Sequence, residues 1–251
     1  TGHVNATAAG GGLFVGNDTN YESLTGISEG AWVAKYPGTL GNAIKVSVCP
    51  ANATAWAAWT YAGSFPGVPG TSDYAVELGK ASAADELHIA VIDESGAWSG
   101  KAGTVLETYE YISQGSDAKG SDGTSNYYKD VINARSKYIR HIGVPTGLTD
   151  AGDAISATTT YTTVTAAVDN SLTGGTDDNA PTVGEIDTGM QLFADTSTVD
   201  VNLLFAYPDA NGADTIAANL ITLVNARKDC MAFVSPPIED SKDAAVPATE
   251  V

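Results

Sequence analysis

One stretch of this sequence admits few folds. Val199 to Ala206 is an apolar run that reads as a buried strand, and Asp214 to Arg227 places Ile216, Leu220, Leu223 and Val224 on one face of a helix. Cys230 to Val234 then reads as a second strand. A strand, a helix and a strand at this spacing form a β-α-β unit, which implies parallel neighbours joined by a right-handed crossover. At least this part is therefore expected to be an α/β layer. Just upstream, Thr182 followed by Glu185 is a capping-box pair that opens another helix, carrying Ile186, Met190 and Phe193 but weakened by Gly184 and Gly189.

The region from Ala31 onward is built differently, from short apolar runs rich in β-branched and aromatic residues. Strands are expected at Ile44 to Val48, Trp56 to Tyr61, Tyr74 to Leu78, Leu87 to Ile92 and Val105 to Ile112. The eleven-residue stretch from Asp93 to Gly103 suits a long hairpin loop between the last two. Asn126 to Ile142 carries Tyr128, Val131, Ile132, Tyr138, Ile139 and Ile142 at helical spacing, with Thr124 or Ser125 as cap. Thr158 to Val168, rich in Thr, Tyr and Val, is expected as a strand on an accessible sheet face. The fold class is thus α/β in the mixed (α+β) sense. Residues 1–30, with Gly10 to Gly12, read as a flexible lead-in with a strand at Leu13 to Val15. Residues 31–237 form the folded α/β domain, with two subdomains an option, and 238–251 are expected to be an acidic disordered tail.

Charge narrows the partners. Twelve Lys and Arg against 30 Asp and Glu give a net charge of −18, which repels phosphate backbones and anionic lipid headgroups, so neither nucleic acid nor membrane is an expected partner. No stretch approaches the roughly 18 to 20 apolar residues of a membrane span, and no basic-then-apolar leader opens the sequence, so the chain reads as soluble and without an export signal. Cys49 and Cys230 lie in apolar strand-like runs without a CxxC spacing and read as buried free thiols rather than disulfide partners or metal ligands. Three Asn-x-Thr triplets, starting at Asn5, Asn17 and Asn52, suit a secreted or surface-layer protein, one rival reading of this acidic chain.

The residues supply little chemistry. His3, His88 and His141 lack any zinc-ligand spacing, and His141 is expected near a helix end, where it favours the dipole. Gly123-Thr-Ser125 resembles the surroundings of a subtilisin nucleophile, the basis of a second rival reading as an α/β hydrolase. The order of Ser125, a plausible acid such as Asp93, and His88 or His141 is wrong for that family, and Ser125 as a helix cap accounts for it. Asp117 to Asp122 and Thr176 to Asn179 offer clustered oxygens but do not fit an EF-hand, since Lys119 stands at the third place of the first. The pairs Asp93-Glu94 and Asp177-Asp178 read as acidic surface rather than acid-base groups. No catalytic, cofactor-binding or metal-binding residue is therefore expected.

Three segments nonetheless form a pattern. Ala34-Lys-Tyr-Pro-Gly-Thr-Leu-Gly-Asn42 leads into Ile44-Lys-Val-Ser-Val48. Ala102-Gly-Thr-Val-Leu-Glu-Thr-Tyr-Glu110 is followed by Ser116-Asp-Ala-Lys119 and Ser125-Asn-Tyr-Tyr-Lys-Asp-Val-Ile-Asn133. Val199-Asp-Val-Asn-Leu-Leu204 precedes Arg227-Lys-Asp-Cys-Met-Ala-Phe-Val-Ser-Pro-Pro237. In this order they resemble the sheath proteins of contractile bacteriophage tails. The resemblance implies a subtilisin-like core without protease chemistry. It also implies a homopolymer of identical subunits in stacked six-fold rings around a tail tube protein, bounded by baseplate and tail terminator and assembled in the host cytoplasm into the virion, whose contraction drives genome delivery. Such proteins continue beyond the Val-Ser-Pro-Pro segment, so this chain is expected to be a fragment lacking a tube-proximal C-terminal region and part of an upstream one.

Overall fold

The computed structural model describes residues 3–158, 160–206 and 213–235; the expected acidic tail, 238–251, lies outside them. Two compact units are formed, Thr1–Asp178 and Asn179–Val251. The first contains helix α1 (Asp18–Glu22), strands β1 (Trp32–Ala34) and β2 (Ile44–Pro50), helices α2 (Ala53–Ala58) and α3 (Asp73–Glu77), strands β3 (Glu86–Asp93) and β4 (Thr104–Ser113), helix α4 (Tyr128–Arg135), and strands β5 (Ile139–His141) and β6 (Val168–Ser171). The second contains helix α5 (Val183–Gln191), strand β7 (Leu203–Ala206), helix α6 (Ala213–Arg227) and strand β8 (Met231–Val234). The mixed α/β class is as the sequence predicts.

In the first unit an antiparallel sheet runs β4-β3-β2-β6. Its two inner strands carry nearly unbroken apolar sequence because both of their faces are covered. On one face Ile44, Val46, Val48, Leu87, Ile89 and Val91 pack with Trp32, Tyr128, Ile132 and Ile139. On the other, Cys49, Ala90 and Ile92 pack with Ala55, Trp59 and Phe65. The β3–β4 hairpin forms where expected, with Asp93 paired to Thr104 at its mouth.

Two expected strands instead fall in helices. Trp56 to Tyr61 begins inside α2, because Asn52 accepts from the backbone N–H of Thr54 (2.9 Å) and Ala55 (3.1 Å) and the helix is rich in alanine, at Ala53, Ala55, Ala57 and Ala58. Tyr74 to Leu78 lies in α3 and its C-cap, with Ser72 as N-cap on the Ala75 N–H at 3.2 Å. The long helix expected over Asn126 to Ile142 stops at Arg135. Glu107 accepts from the Ser136 hydroxyl (2.7 Å) and the Lys137 N–H (2.8 Å), drawing the chain off the helix axis. Ile139 and His141, buried on either side of Arg140, then follow the two-residue period of a strand and pair with β1. Tyr127, without a side-chain cap, occupies the N-cap position expected for Thr124 or Ser125.

Among the described residues of Thr158 to Val168, no strand forms before Val168. The Tyr161 N–H goes to the Ala83 carbonyl and the Thr162 N–H to Asp150, so loop acceptors take the donors a ladder would need. The glycine-rich lead-in is held in place at several points. Val4 pairs with Thr176, Thr7 with Val33 and Thr173, and Asn5 with Leu13, while Asn5, Ala6 and Thr7 are fully buried.

The second unit is the expected β-α-β unit, with β7 and β8 parallel. Helix α6 packs against both strands and α5 and buries Ile216, Leu220 and Leu223. The Thr182–Glu185 capping box opens α5. Strand β7 starts four residues later than expected. Buried Arg227 donates to the carbonyls of Phe193 and Val199 and forms a two-point pair with Asp229, holding the connection at Val199 away from the ladder. Nor is β7 buried: Leu203 is 52% and Phe205 72% exposed. Leu220→Ala should destabilise the second unit by about 2 to 5 kcal/mol, read as a lower urea midpoint, because it deletes the most buried apolar side chain of α6.

Candidate functional site

The polar residues that attract attention in the sequence are dispersed, and each is occupied locally. Ser125 donates to Asp130 Oδ2 at 2.8 Å and accepts from the Tyr127 N–H at 3.3 Å. It lines a cavity of about 600 Å³ with Gly120, Asp122, Asn126, Asp130 and Arg135, and no histidine is among the lining residues. His141 is buried on β5, hydrogen-bonded through Nε2 to Tyr128 at 2.9 Å, with its edge against Trp32. It does not sit at a helix end as expected. Asp93 closes its own loop by accepting from the N–H groups of Gly96, Trp98 and Ser99 and the Ser99 hydroxyl at 2.7 to 3.0 Å. Ser125, Asp93 and the histidines therefore do not form a triad.

His88 is fully enclosed. Its Nε2 donates to the Gly67 carbonyl (2.9 Å) and its Nδ1 accepts from the Tyr111 N–H (3.0 Å), so the ring is neutral with the proton on Nε2. It stacks on Phe65 at 4.6 Å and lies beside Tyr111. Tyr111 takes a positive φ of 50° where the β3–β4 register shifts between Leu87 and Ile89, so the ring fills an irregularity in the ladder.

The acidic clusters are loop fasteners. Asp117 accepts from the N–H groups of Ile155 (2.6 Å) and Ser156 (3.1 Å), and Asp122 from Thr124. Asp177 accepts from Thr39 and lies 3.5 Å from His3. Among the described residues no group of three or more His, Cys, Asp or Glu is gathered as metal ligands, and no helix is long and apolar enough to cross a membrane. Cys49 is a buried free thiol and Cys230 a half-buried one. Two of the Asn-x-Thr triplets begin with helix caps, Asn17 for α1 and Asn52 for α2. In the third, the buried Asn5 amide bridges the Ala34 carbonyl and the Val15 N–H.

Two polar constellations escaped the sequence reading. Buried Asp85 accepts from the Ser72 N–H and hydroxyl and from the Ser113 hydroxyl (2.6 to 2.9 Å), tying α3 to the end of β4. The only local signal was Ser72 ahead of an apolar run, which marks a cap and not its distant partner. Tyr21 donates to the His141 carbonyl and accepts from Asn133, and Arg140 lies over its ring at 4.9 Å while pairing with Asp18. This latch fixes α1 beside β5. The Ser72 and Ser113 hydroxyls are buried together with the carboxylate that accepts from them, and the Tyr21 group bonds neighbouring elements to one another, so both arrangements position backbone.

Structure and polar geometry together define a mixed α/β protein whose buried polar groups serve its architecture. No family model matches the chain. It is similar to the tail sheath protein of Salmonella phage ViI, with 32% identity over 139 residues, which cover 55% of this chain and 18% of that protein.

Two tests follow from this geometry. Burial, reinforced by the charge of Lys129, pushes His141 down from 6.5 to about 4, and burial also lowers His88. A histidine held neutral in the fold binds fewer protons than in the unfolded chain, so stability is complete above about 6.5 and falls as pH drops towards 4. His141 accounts for up to about 3 kcal/mol of that loss. Urea titrations at pH 7 and 4.5 should show it, and His141→Gln, which cannot charge, should remove that residue's share of the slope, leaving the shares of His88 and of carboxylates held below their ordinary range, such as Asp93 and Asp117. For Ser125, a fluorophosphonate probe should leave the side chain unlabelled, and Ser125→Ala should cost about 1 kcal/mol or less.

Proposed function

We propose that this chain is part of a sheath subunit of a contractile bacteriophage tail, a structural component rather than an enzyme, and that it belongs to a longer polypeptide. The observation that carries this reading is the similarity to a phage tail sheath protein. It is supported by the three segments that resemble that family in the same order along the sequence and by the Ser125 hydroxyl bonding Asp130 while the two buried histidines bond other groups. In this role identical subunits stack in six-fold rings around a tail tube protein, between baseplate and tail terminator, in a virion tail assembled in the host cytoplasm. Its core is of the subtilisin-like kind, without protease chemistry.

Contraction then needs no covalent step. Two packings of the same subunits differ in free energy, and the extended one is held until the baseplate releases it. Blocks with closed cores repack as rigid bodies, because packed interiors resist continuous deformation. The net charge of −18 opposes close approach of copies over a Debye length of about 8 Å, so contacts between subunits must offset it with apolar surface, local pairing or linking arms.

The longer polypeptide expressed alone should form hollow striated tubes visible by electron microscopy. The isolated 251-residue chain should sediment as a monomer or weak associate at low salt. Added salt should increase association without ordered tubes, since screening cannot supply linking arms. Regular tubes from the 251-residue chain alone would show that its own surface suffices for assembly, and the dependence on arms outside it would have to be abandoned.

A further inference from the structure

The β2–β3 ladder ends in two unlike surfaces. At the end where Ile44 meets Asp93, Asp93 holds the Trp98 N–H at 3.0 Å, and the Trp98 indole donates to the Leu40 carbonyl at 3.2 Å. Tyr36 and Tyr138 flank that indole at 5.5 and 5.0 Å, and Tyr36 is 50% exposed. Lys101 follows Trp98 in the same loop, Lys137 precedes Tyr138, and both side chains are exposed. The carboxylates nearby are already engaged: Asp93 with its own loop, Glu94 with Lys45, and Glu107 with Tyr109, Ser136 and the Lys137 N–H. In a chain of net charge −18, this end is aromatic and basic.

At the other end Pro50 meets Leu87. There Asp85 holds Ser72 and Glu86 holds the Gly70 N–H, which fixes α3. Val76 is 52% exposed, with Leu78 and Val68 also open to solvent. Asp73 and Glu77 are exposed beside them, with half-buried Lys80 as the one opposing charge on that helix and its C-terminal turn. This end is aliphatic and acidic. The eight residues of β3 set the two ends roughly 26 Å apart.

The ends match in sign and in apolar character, which is what specifies partners across an interface. Because the matching patches differ and lie at opposite ends of one ladder, a contact between them is heterologous. It leaves each joined pair with an open end at either side, so it propagates. Three or so large side chains at each end fall well short of the roughly 800 Å² a partner buries in a stable pair. One contact between free copies is therefore weak and gains strength where other contacts already hold the copies together.

We propose that the Tyr36–Trp98–Tyr138 end of one copy docks on α3 of the next, with Lys101 and Lys137 facing Asp73 and Glu77, so that copies run head to tail. The inference rests on the reading above that copies of this chain assemble, and it supplies the apolar surface and local pairing that such assembly requires. Charges in contact lie closer than a Debye length of about 8 Å, so salt screens the net repulsion between copies more than it screens this pairing.

The test mixes isotopically light and heavy 251-residue chain at high concentration and couples lysines to touching carboxylates with a water-soluble carbodiimide. Mass spectrometry should find mixed-isotope links joining Lys101 or Lys137 to Asp73 or Glu77. Sedimentation equilibrium then reads two charge reversals. Lys101→Glu with Lys137→Glu, and Asp73→Lys with Glu77→Lys, should each weaken association severalfold. An equal mixture of the two variants should restore it, because every contact between unlike variants then pairs opposite charges. The second reversal makes the chain less acidic, so association governed by net charge alone would become stronger, and that result would overturn the proposal. So would links to other carboxylates only, no links between copies, or a mixture that associates no better than its parts. Should either pair alter the circular dichroism spectrum, Lys101→Glu against Glu77→Lys, one change at each end, gives the same reading. Tubes from the longer polypeptide without these links would remove this contact and leave the sheath reading standing; these links without tubes would do the reverse.

Discussion

The seven-residue antiparallel ladder from Ile44↔Asp93 to Pro50↔Leu87 is the part of the first unit on which the rest is arranged. Both strands lie inside the sheet and are buried on both faces, so neither supplies a polar side for water. Everything that packs on them must bring apolar surface from elsewhere in the chain. Trp32, Tyr128, Ile132 and Ile139 do so from β1, α4 and β5 on one side, and Trp59 and Phe65 from the segment after α2 on the other. Each such large side chain withdraws surface worth about 1.5 to 3 kcal/mol, and together they offset the ordering of the long irregular connections between them. Ser47, the one polar inward position of β2, is partnered by the Trp59 indole N–H at 2.7 Å and by Asp169 on β6, so the second layer and the edge strand are both pinned to the same hydroxyl.

Those connections explain where the acidic residues go. Asp85, Asp93, Asp117 and Asp177 each accept several donors from loop backbone or hydroxyl groups. For Asp93 burial opposes ionisation, yet the Ser99 donors, with Gly96 and Trp98, hold its carboxyl below the ordinary range. In a chain with much irregular structure and few cations, carboxylates replace the missing ladder partners. A cluster that reads in the sequence as a candidate cation site is, in the fold, a set of separate fasteners.

How much was legible depended on whether a segment's partner lay near it. The β3–β4 hairpin and the β-α-β unit could be read because each element pairs with the next one along, and the Thr182–Glu185 box because it is complete within four residues. Trp56 to Tyr61 and Tyr74 to Leu78 carry strand-like aromatic content, but the capping side chains of Asn52 and Ser72 decide for helix. The break at Arg135 could not be read from Asn126 to Ile142 alone, since Glu107, the group that causes it, lies on another element. Thr158 to Val168 failed for the same reason: its donors are taken by Ala83 and Asp150. Nothing local to His88 or His141 in the sequence marks them as rings buried inside the core, because the groups that enclose them come from other elements.

The lead-in carries the same lesson to its physical end. A stretch with Gly10, Gly11 and Gly12 has little side chain to bury and gains little from collapse. It is nevertheless fixed, because Asn5 uses both ends of its amide on buried backbone and Val4 and Thr7 pair with Thr176 and Thr173. Glycine is what permits this approach: a Cβ at Gly12 would fall 2.5 Å from the Gly174 carbonyl oxygen, and Gly12 itself takes φ of 67°. The first and last segments of the first unit thus run side by side, and the unit closes on itself through backbone pairing. A unit closed in this way has its core defined without help from what adjoins it in the chain. Strain applied at the ends of such a unit is borne first by the paired backbone groups of Val4, Thr7, Thr173 and Thr176, before it reaches the β2–β3 ladder.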